Sequence, residues 1–237
     1  MITTKTPRAV AAKRRAPQPR SGSDETRERI LDSAEKLFAR FSYQGASIRD
    51  IAADASCLSA LVGYHFGSKL DLMDKVLARR SEVLNTERLA FLERARVQAG
   101  DAPIAVRTLL EGYVGTIVRR ASRNDPGWRN YTQMIGAAAS NAEWSELPDK
   151  HFNTVAREYM RELQRSLPEL PAESLHHAFS FAIGVMVNVC ARPGRIETLS
   201  KGQFKSKDVS TMYENLCTFL EGGFNAMAGR STGEVEP

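Results

Sequence analysis

The sequence predicts an all-α fold in which a compact three-helix N-terminal unit precedes a larger helical domain. Three observations carry the prediction. Apolar residues recur every three or four positions in successive runs, no stretch of useful length alternates with period two, and Pro and Gly divide the chain into segments of helical length.

Residues 1 to 22 contain Lys5, Arg8, Lys13, Arg14, Arg15 and Arg20, no acid and no apolar stripe, so they read as a disordered basic arm. From Asp24 the pattern changes. Ile30, Ala34, Leu37, Phe38 and Phe41 mark one face of an amphipathic helix that should end near Ser42. Ser47, followed three residues later by Asp50, is a capping signature, and Ile48, Ile51, Ala52 and Ala55 give the helix it opens one buried face. After the break at Ser56 and Cys57, Leu58, Leu61, Val62 and Phe66 should bury a second short helix, leaving Ser59, Ala60, Gly63 and Tyr64 facing outward. A second capping signature, Ser68 with Asp71, restarts the chain as a helix from Leu70 to about Val97. Further helical runs follow over Pro103 to Ser122, Pro126 to Ser140, Glu143 to Leu167, Pro171 to Ala191 and Asp208 to Ala228, with a polar connector at 192 to 207. The resulting boundaries are 1–22 for the arm, 23–69 for the three-helix unit, 70–230 for the helical domain and 231–237 for a disordered tail.

Two short helices joined by a tight turn are the layout of a helix-turn-helix. Small outward side chains let the backbone of the second helix sit deep in a major groove, which is wide enough to admit it. Charge points the same way only in part. The net charge is +5, yet the arm carries +6 and residues 23 to 80 balance nine basic against nine acidic side chains. Attraction to phosphate therefore depends on where the charges sit, and the arm is a candidate for following a groove.

Other classes find little support. Neither a nucleophile elbow, a phosphate loop, a dinucleotide fingerprint nor a zinc-helix motif is present, so no catalytic residue and no cofactor is expected. The best apolar run, Ala178 to Ala191, is interrupted by Ser180 and Asn188 and falls short of a membrane span. Cys57, Cys190 and Cys217 form neither a metal-spaced pair nor an even disulfide set, which suits a reducing cytoplasm. Glu173 and His176 make half of a di-iron pattern, but Val62 and Pro148 stand where the partners of His65 and His151 would need a carboxylate, so no metal site is expected.

The segments TRERILDSAEKLF (26–38), SIRDIA (47–52) and YHFGSK (64–69) resemble the TetR family of bacterial transcriptional regulators, with the match strongest over residues 24 to 80. The resemblance implies a homodimeric, ligand-responsive repressor of cytoplasmic, nucleoid-associated character. It would hold two recognition helices in successive major grooves of a double-stranded operator and leave when a small effector enters the C-terminal domain. By position, Ser47 would meet a phosphate, Ser59 and Ala60 would face base edges, Gly63 would lie near the DNA backbone, and Tyr64, His65 and Lys69 would grip phosphates. The chain departs from the family pattern at Ser56, where a Gly is usual; at Leu58, where a small cap is usual; at Ser59-Ala60, where Lys-Gly is usual; and at Gly63, where an aromatic is common.

In the C-terminal half, Tyr113, Trp128, Tyr131, Met134, Phe152 and Phe181 mix bulky and polar character as an effector pocket would, or as a plain core would. The resemblance places dimerisation in the last two long helices, where Ala178, Ala182, Val185, Phe219, Gly223 and Phe224 would serve, or alternatively pack internally. Effector binding would move the helix from Leu70 to Val97 as a strut. A helical protein-protein adaptor, or less simply an all-α enzyme, is the alternative reading.

Overall fold

The computed structural model describes residues 22–122, 125–138, 147, 149–191, 194–205 and 209–230, and all regular structure among them is helical. The basic arm expected at 1–22, apart from its last residue, and the tail expected at 231–237 lie outside the described residues.

Helix α1 spans Gly22–Gly45 and opens with Asp24 and Glu25, whose charges complement the positive end of the helix dipole. Ile30, Leu31, Ala34, Leu37 and Phe38 are buried as their spacing requires. Phe41 is not: it is 48% exposed, with the Arg40 guanidinium 4.9 Å from its ring centroid, one residue before the helix changes direction. At that point Ser42 takes φ 61° and ψ 174°, a region that glycine alone enters freely. The kink adds a further turn to Gly45 that the sequence pattern does not signal.

Helices α2 (Ile48–Asp54) and α3 (Ser59–Phe66) follow, joined by a turn in which Ser56 adopts a left-handed φ of 52°. Helix α4 (Lys69–Ala99), about 46 Å long at 1.5 Å per residue, runs from this unit into the helical half. Leu72, Met73, Val76, Leu77, Leu84, Leu92 and Ala95 line its buried side. Helices α5 (Val106–Ser122) and α6 (Pro126–Ala138) come next. Pro126 stands at the first helical position of α6, and Asp125 Oδ1 caps it by accepting the backbone N–H of Gly127 at 2.8 Å. A π-helical turn, Asp149–Asn153, leads into α7 (Thr154–Ser166). Helix α8 (Ala172–Ala191), the short α9 (Arg195–Leu199) within the polar connector and α10 (Val209–Arg230) complete the order.

The boundary expected at residues 69–70 coincides with the start of α4, but the apolar side chains on its two sides form one continuous cluster. Helix α1 packs lengthwise on α6 and also against α4, so the N-terminal unit is seated on the helical half. A buried ion pair fastens this junction. Arg80 donates to both Glu35 oxygens at 2.9 and 3.0 Å, and the guanidinium groups of Arg80 and Arg120 each lie over the Trp128 ring, 5.1 Å from its centroid. Burial pushes the Glu35 carboxyl above the ordinary glutamate range, against the pull of Arg80.

Candidate nucleic-acid interface

Two reciprocal capping boxes frame the recognition segment. The Asp50 N–H donates to Ser47 Oγ at 3.1 Å while the Ser47 N–H donates to Asp50 Oδ2 at 3.3 Å. Ser68 and Asp71 repeat the arrangement with both bonds at 3.1 Å. Both boxes thus satisfy backbone donors at a helix start that otherwise has no partner for them. The serine hydrogen bonds hold the Asp50 and Asp71 carboxyls below the ordinary aspartate value of 3.8.

Only Val62 and Phe66 anchor α3, at 1% and 7% exposure. Leu58 and Leu61, expected from their spacing on the buried face, are not covered. Leu58 is 73% exposed and Leu61 38% exposed. The helix has eight residues and is backed by the core on one narrow side, so apolar spacing alone does not decide which apolar groups are covered. Leu58 occupies the N-cap position and offers no side-chain cap.

Ser47, Ser59, Ala60, Gly63 and Tyr64 are all exposed, while His65 and Lys69 are half-buried. A Cβ at Gly63 would meet nothing within 4 Å, so the outer face of α3 is open there. Tyr64 is 80% exposed and packs edge-on against His65, with ring centroids 5.2 Å apart. The ammonium of Lys69 lies 4.4 Å from the Tyr43 ring centroid, and partial burial holds its pKa below the usual lysine value. Gly67 closes α3 at φ 77°, donating its N–H to the Gly63 carbonyl at 2.8 Å.

The equal tally of acids and bases in this unit conceals an unequal placement. Arg79 holds Glu28 and Asp32, Arg80 holds Glu35, Lys36 holds Asp54, and the caps occupy Asp50 and Asp71. Arg40, Arg49 and Lys69 form no ion pair among the described residues. Arg40 and Arg49, exposed at the ends of α1 and α2, were not singled out by sequence reasoning. No local signal marks them, because the pairings that leave them free join residues far apart in the chain, such as Arg79 and Asp32, 47 positions apart.

The residues expected to line a pocket fall into separate groups. Tyr113 is buried against Tyr159 and Phe179, with centroids 5.2 and 5.0 Å away. Trp128 and Tyr131 pack edge to face at 5.7 Å, Tyr131 donating to the Leu77 carbonyl at 3.4 Å, and Met134 is buried on the same helix. Burial pushes the Tyr131 hydroxyl well above the usual tyrosine range. Phe152 is half-buried beside His151, and Phe181 is 63% exposed, stacked on His177, so it lines no interior space. Of the residues expected at a dimer face, Ala178, Ala182 and Phe224 are already buried within the chain, Val185 is half-buried, and Phe219 and Gly223 are exposed.

Among the described residues, no group of three or more His, Cys, Asp or Glu side chains could hold a metal ion, and no helix is long and apolar enough to cross a membrane. Comparison with known proteins agrees with the motif reading. Residues 30–76 match the model of bacterial regulatory proteins of the tetR family, and residues 111–223 match that of the tetracyclin repressor-like C-terminal domain. The HTH-type transcriptional repressor Rv3405c of Mycobacterium tuberculosis is 36% identical over 121 residues, which are 48% of this chain and 62% of that protein. The match therefore spans less than two thirds of that curated relative. The regulator SrpR of Pseudomonas putida is 34% identical over 65 residues, 27% of this chain and 30% of its own. HlyIIR, a hemolysin II transcriptional regulator, shares the fold with a TM-score of 0.56 at 20% identity, the alignment covering 80% of this chain and 98% of that one. Two family models in their proper order, one on the helix-turn-helix and one on the helical half, settle the assignment: the chain belongs to the TetR family of bacterial transcriptional regulators.

Proposed function

We propose that this protein is a homodimeric, ligand-responsive repressor that grips a palindromic operator through α3. The single observation that carries the reading is the outer face of α3, where Leu58, Ser59, Ala60, Gly63 and Tyr64 are exposed between two capping boxes. Ser59 and Ala60 read base edges, Gly63 permits close approach, and Ser47, Tyr64, His65 and Lys69 hold phosphates. Exposed Leu58 and Leu61 add apolar groups that suit thymine methyls. Unpaired Arg40 and Arg49 supply charge that the neutral tally conceals, and residues 1–22 extend the grip.

A second copy docks on the face formed by α8 and α10. Phe219 and Phe181 are exposed there, and an apolar groove of about 1060 Å³, lined by Val185, Val189, Ile196, Leu199, Phe204 and Phe219, runs beside them. An exposed apolar surface of this kind favours association. The effector acts among the central helices. It shifts the population of states through α4, which reaches from α3 into the helical half and is tied to α1 and α6 at Arg80.

Electrophoretic mobility shift with the DNA upstream of the protein's own gene tests the reading. A salt-sensitive, sequence-selective band is expected, with footprints on two half-sites centred about 34 Å, or a multiple of it, apart. An adaptor or an enzyme would give no such band, and a single asymmetric footprint would overturn the dimer.

A further inference from the structure

Four charged side chains are buried among the described residues, together with the neutral-or-charged His151, and all but one have an opposite charge beside them. Glu35 has Arg80, Asp74 has Lys150 and His151, and Glu162 has Arg96 and Arg165. Arg88 is the exception. It projects from α4 into the centre of the helical half and is 1% exposed, and no carboxylate lies within 4 Å of it among the described residues.

Its partners are weak for a guanidinium. Nε donates to the Tyr113 carbonyl at 3.0 Å, the Tyr113 ring centroid lies 3.9 Å from Cζ, and Nη2 reaches only the Met186 sulfur at 3.9 Å. A guanidinium carries five N–H donors in a fixed fork that matches a carboxylate, and most of the fork goes unused here. One turn earlier on the same side of α4, Asn85 donates to the His151 carbonyl at 2.7 Å while its own Oδ1 is buried without a partner. The surroundings are otherwise apolar and aromatic: Tyr113 from α5, Tyr159 from α7, and Phe179 and Met186 from α8.

A bare cation in such a place is strongly disfavoured, and it is a strong anchor once an anion reaches it. We infer that Arg88 is the anion anchor of the effector site and that the effector is an organic carboxylate with an apolar or aromatic body. The carboxylate takes the fork of Arg88 by displacing the Met186 thioether, a weak acceptor on a flexible side chain. The body packs against Tyr113, Tyr159 and Phe179. A hydroxyl or N–H on the ligand would satisfy Asn85 Oδ1. This inference rests on the ligand-responsive reading above and names the chemical class of its ligand.

The test compares acids with their neutral isosteres on the full-length protein: octanoate, phenylacetate and 4-hydroxybenzoate against octanamide, phenylacetamide and 4-hydroxybenzamide. Thermal shift and calorimetry should show at least one acid binding about 10- to 100-fold more tightly than its amide, the range one hydrogen bond to a charged group supplies. Arg88→Gln and Arg88→Met should abolish that preference. The comparison on the unmutated protein needs no variant to fold. Equal binding of acid and amide, no binding of any of the three acids, or a preference that survives Arg88→Gln would overturn the inference. Mobility shift without acid runs in parallel. Its failure would overturn the DNA-binding reading and leave an acid preference standing.

Discussion

Gly127 is the place where a single methyl group should do most damage to the junction between the N-terminal unit and the helical half. A Cβ built there would lie 1.9 Å from Arg80 Nη2, 2.9 Å from Arg80 Cζ and 3.1 Å from Glu35 Oε1. Arg80 has little room to yield, since it is held by both Glu35 oxygens and lies over Trp128. Gly127→Ala must therefore push the guanidinium off a carboxylate that is 2% exposed. Separating a buried pair costs roughly 3–5 kcal/mol. Alanine in place of glycine in a helix returns about 1 kcal/mol, so the expected net loss is about 2–4 kcal/mol. Urea denaturation at neutral pH reads it as a lower midpoint at unchanged slope. The same substitution made on an Arg80→Ala background should be neutral, or stabilising by up to about 1 kcal/mol, because the guanidinium that the methyl strikes is gone and only Glu35 Oε1, at 3.1 Å, must shift slightly. A loss below about 1 kcal/mol in the otherwise native chain, or the same loss on both backgrounds, would refute the reasoning.

Four further outcomes are expected. Ser42→Gly and Ser56→Gly each relieve a positive φ and should raise stability by about 1 kcal/mol in the same assay; a decrease at either site would mean that the serine side chain contributes more than the backbone strain removes. Asp50 and Asp71 bind fewer protons in the folded chain than in the unfolded one near pH 3.8, so their stabilisation is present above that pH and is lost as pH falls through their lowered native values; melting curves should show this acid limb, and Asp50→Asn with Asp71→Asn should flatten it. On the docking proposed above, Tyr64→Phe removes one phosphate hydrogen bond and should weaken operator binding by about 1 kcal/mol, or roughly fivefold, with an unchanged melting temperature. Deleting residues 2–22 should lower the slope of log affinity against log salt by a few units, at about 0.9 per lost phosphate contact, and an unchanged slope would show the arm to be idle.

What was legible in the sequence was what is decided locally. Ser47 with Asp50 and Ser68 with Asp71 sit three residues apart and close on themselves, so a string of letters suffices to place two helix starts. Ile30, Ala34, Leu37 and Phe38 repeat over more than two turns, enough to define a covered face. Leu58 and Leu61 belong to a helix too short for periodicity to separate covered from open, and they came out on the wrong side. The charge of the interface was hidden for a different reason. Whether Arg40 and Arg49 are free depends on which acids are occupied by Arg79, Arg80 and Lys36, and those pairings are made by tertiary structure. Arg88 was invisible in the same way, since an arginine within a charged helix reads as solvated until the helices around it are placed.

The shallow seating of α3 has a bearing on how this regulator can change. Two side chains, Val62 and Phe66, tie the helix to its scaffold, and burying each is worth about 1.5–3 kcal/mol. Leu58, Ser59, Ala60, Gly63 and Tyr64 owe the scaffold nothing. On the docking proposed above, substitutions at those positions are free to alter which operator is recognised without first passing through an unstable protein, so the reading head can drift to new sites while the body that carries it stays fixed.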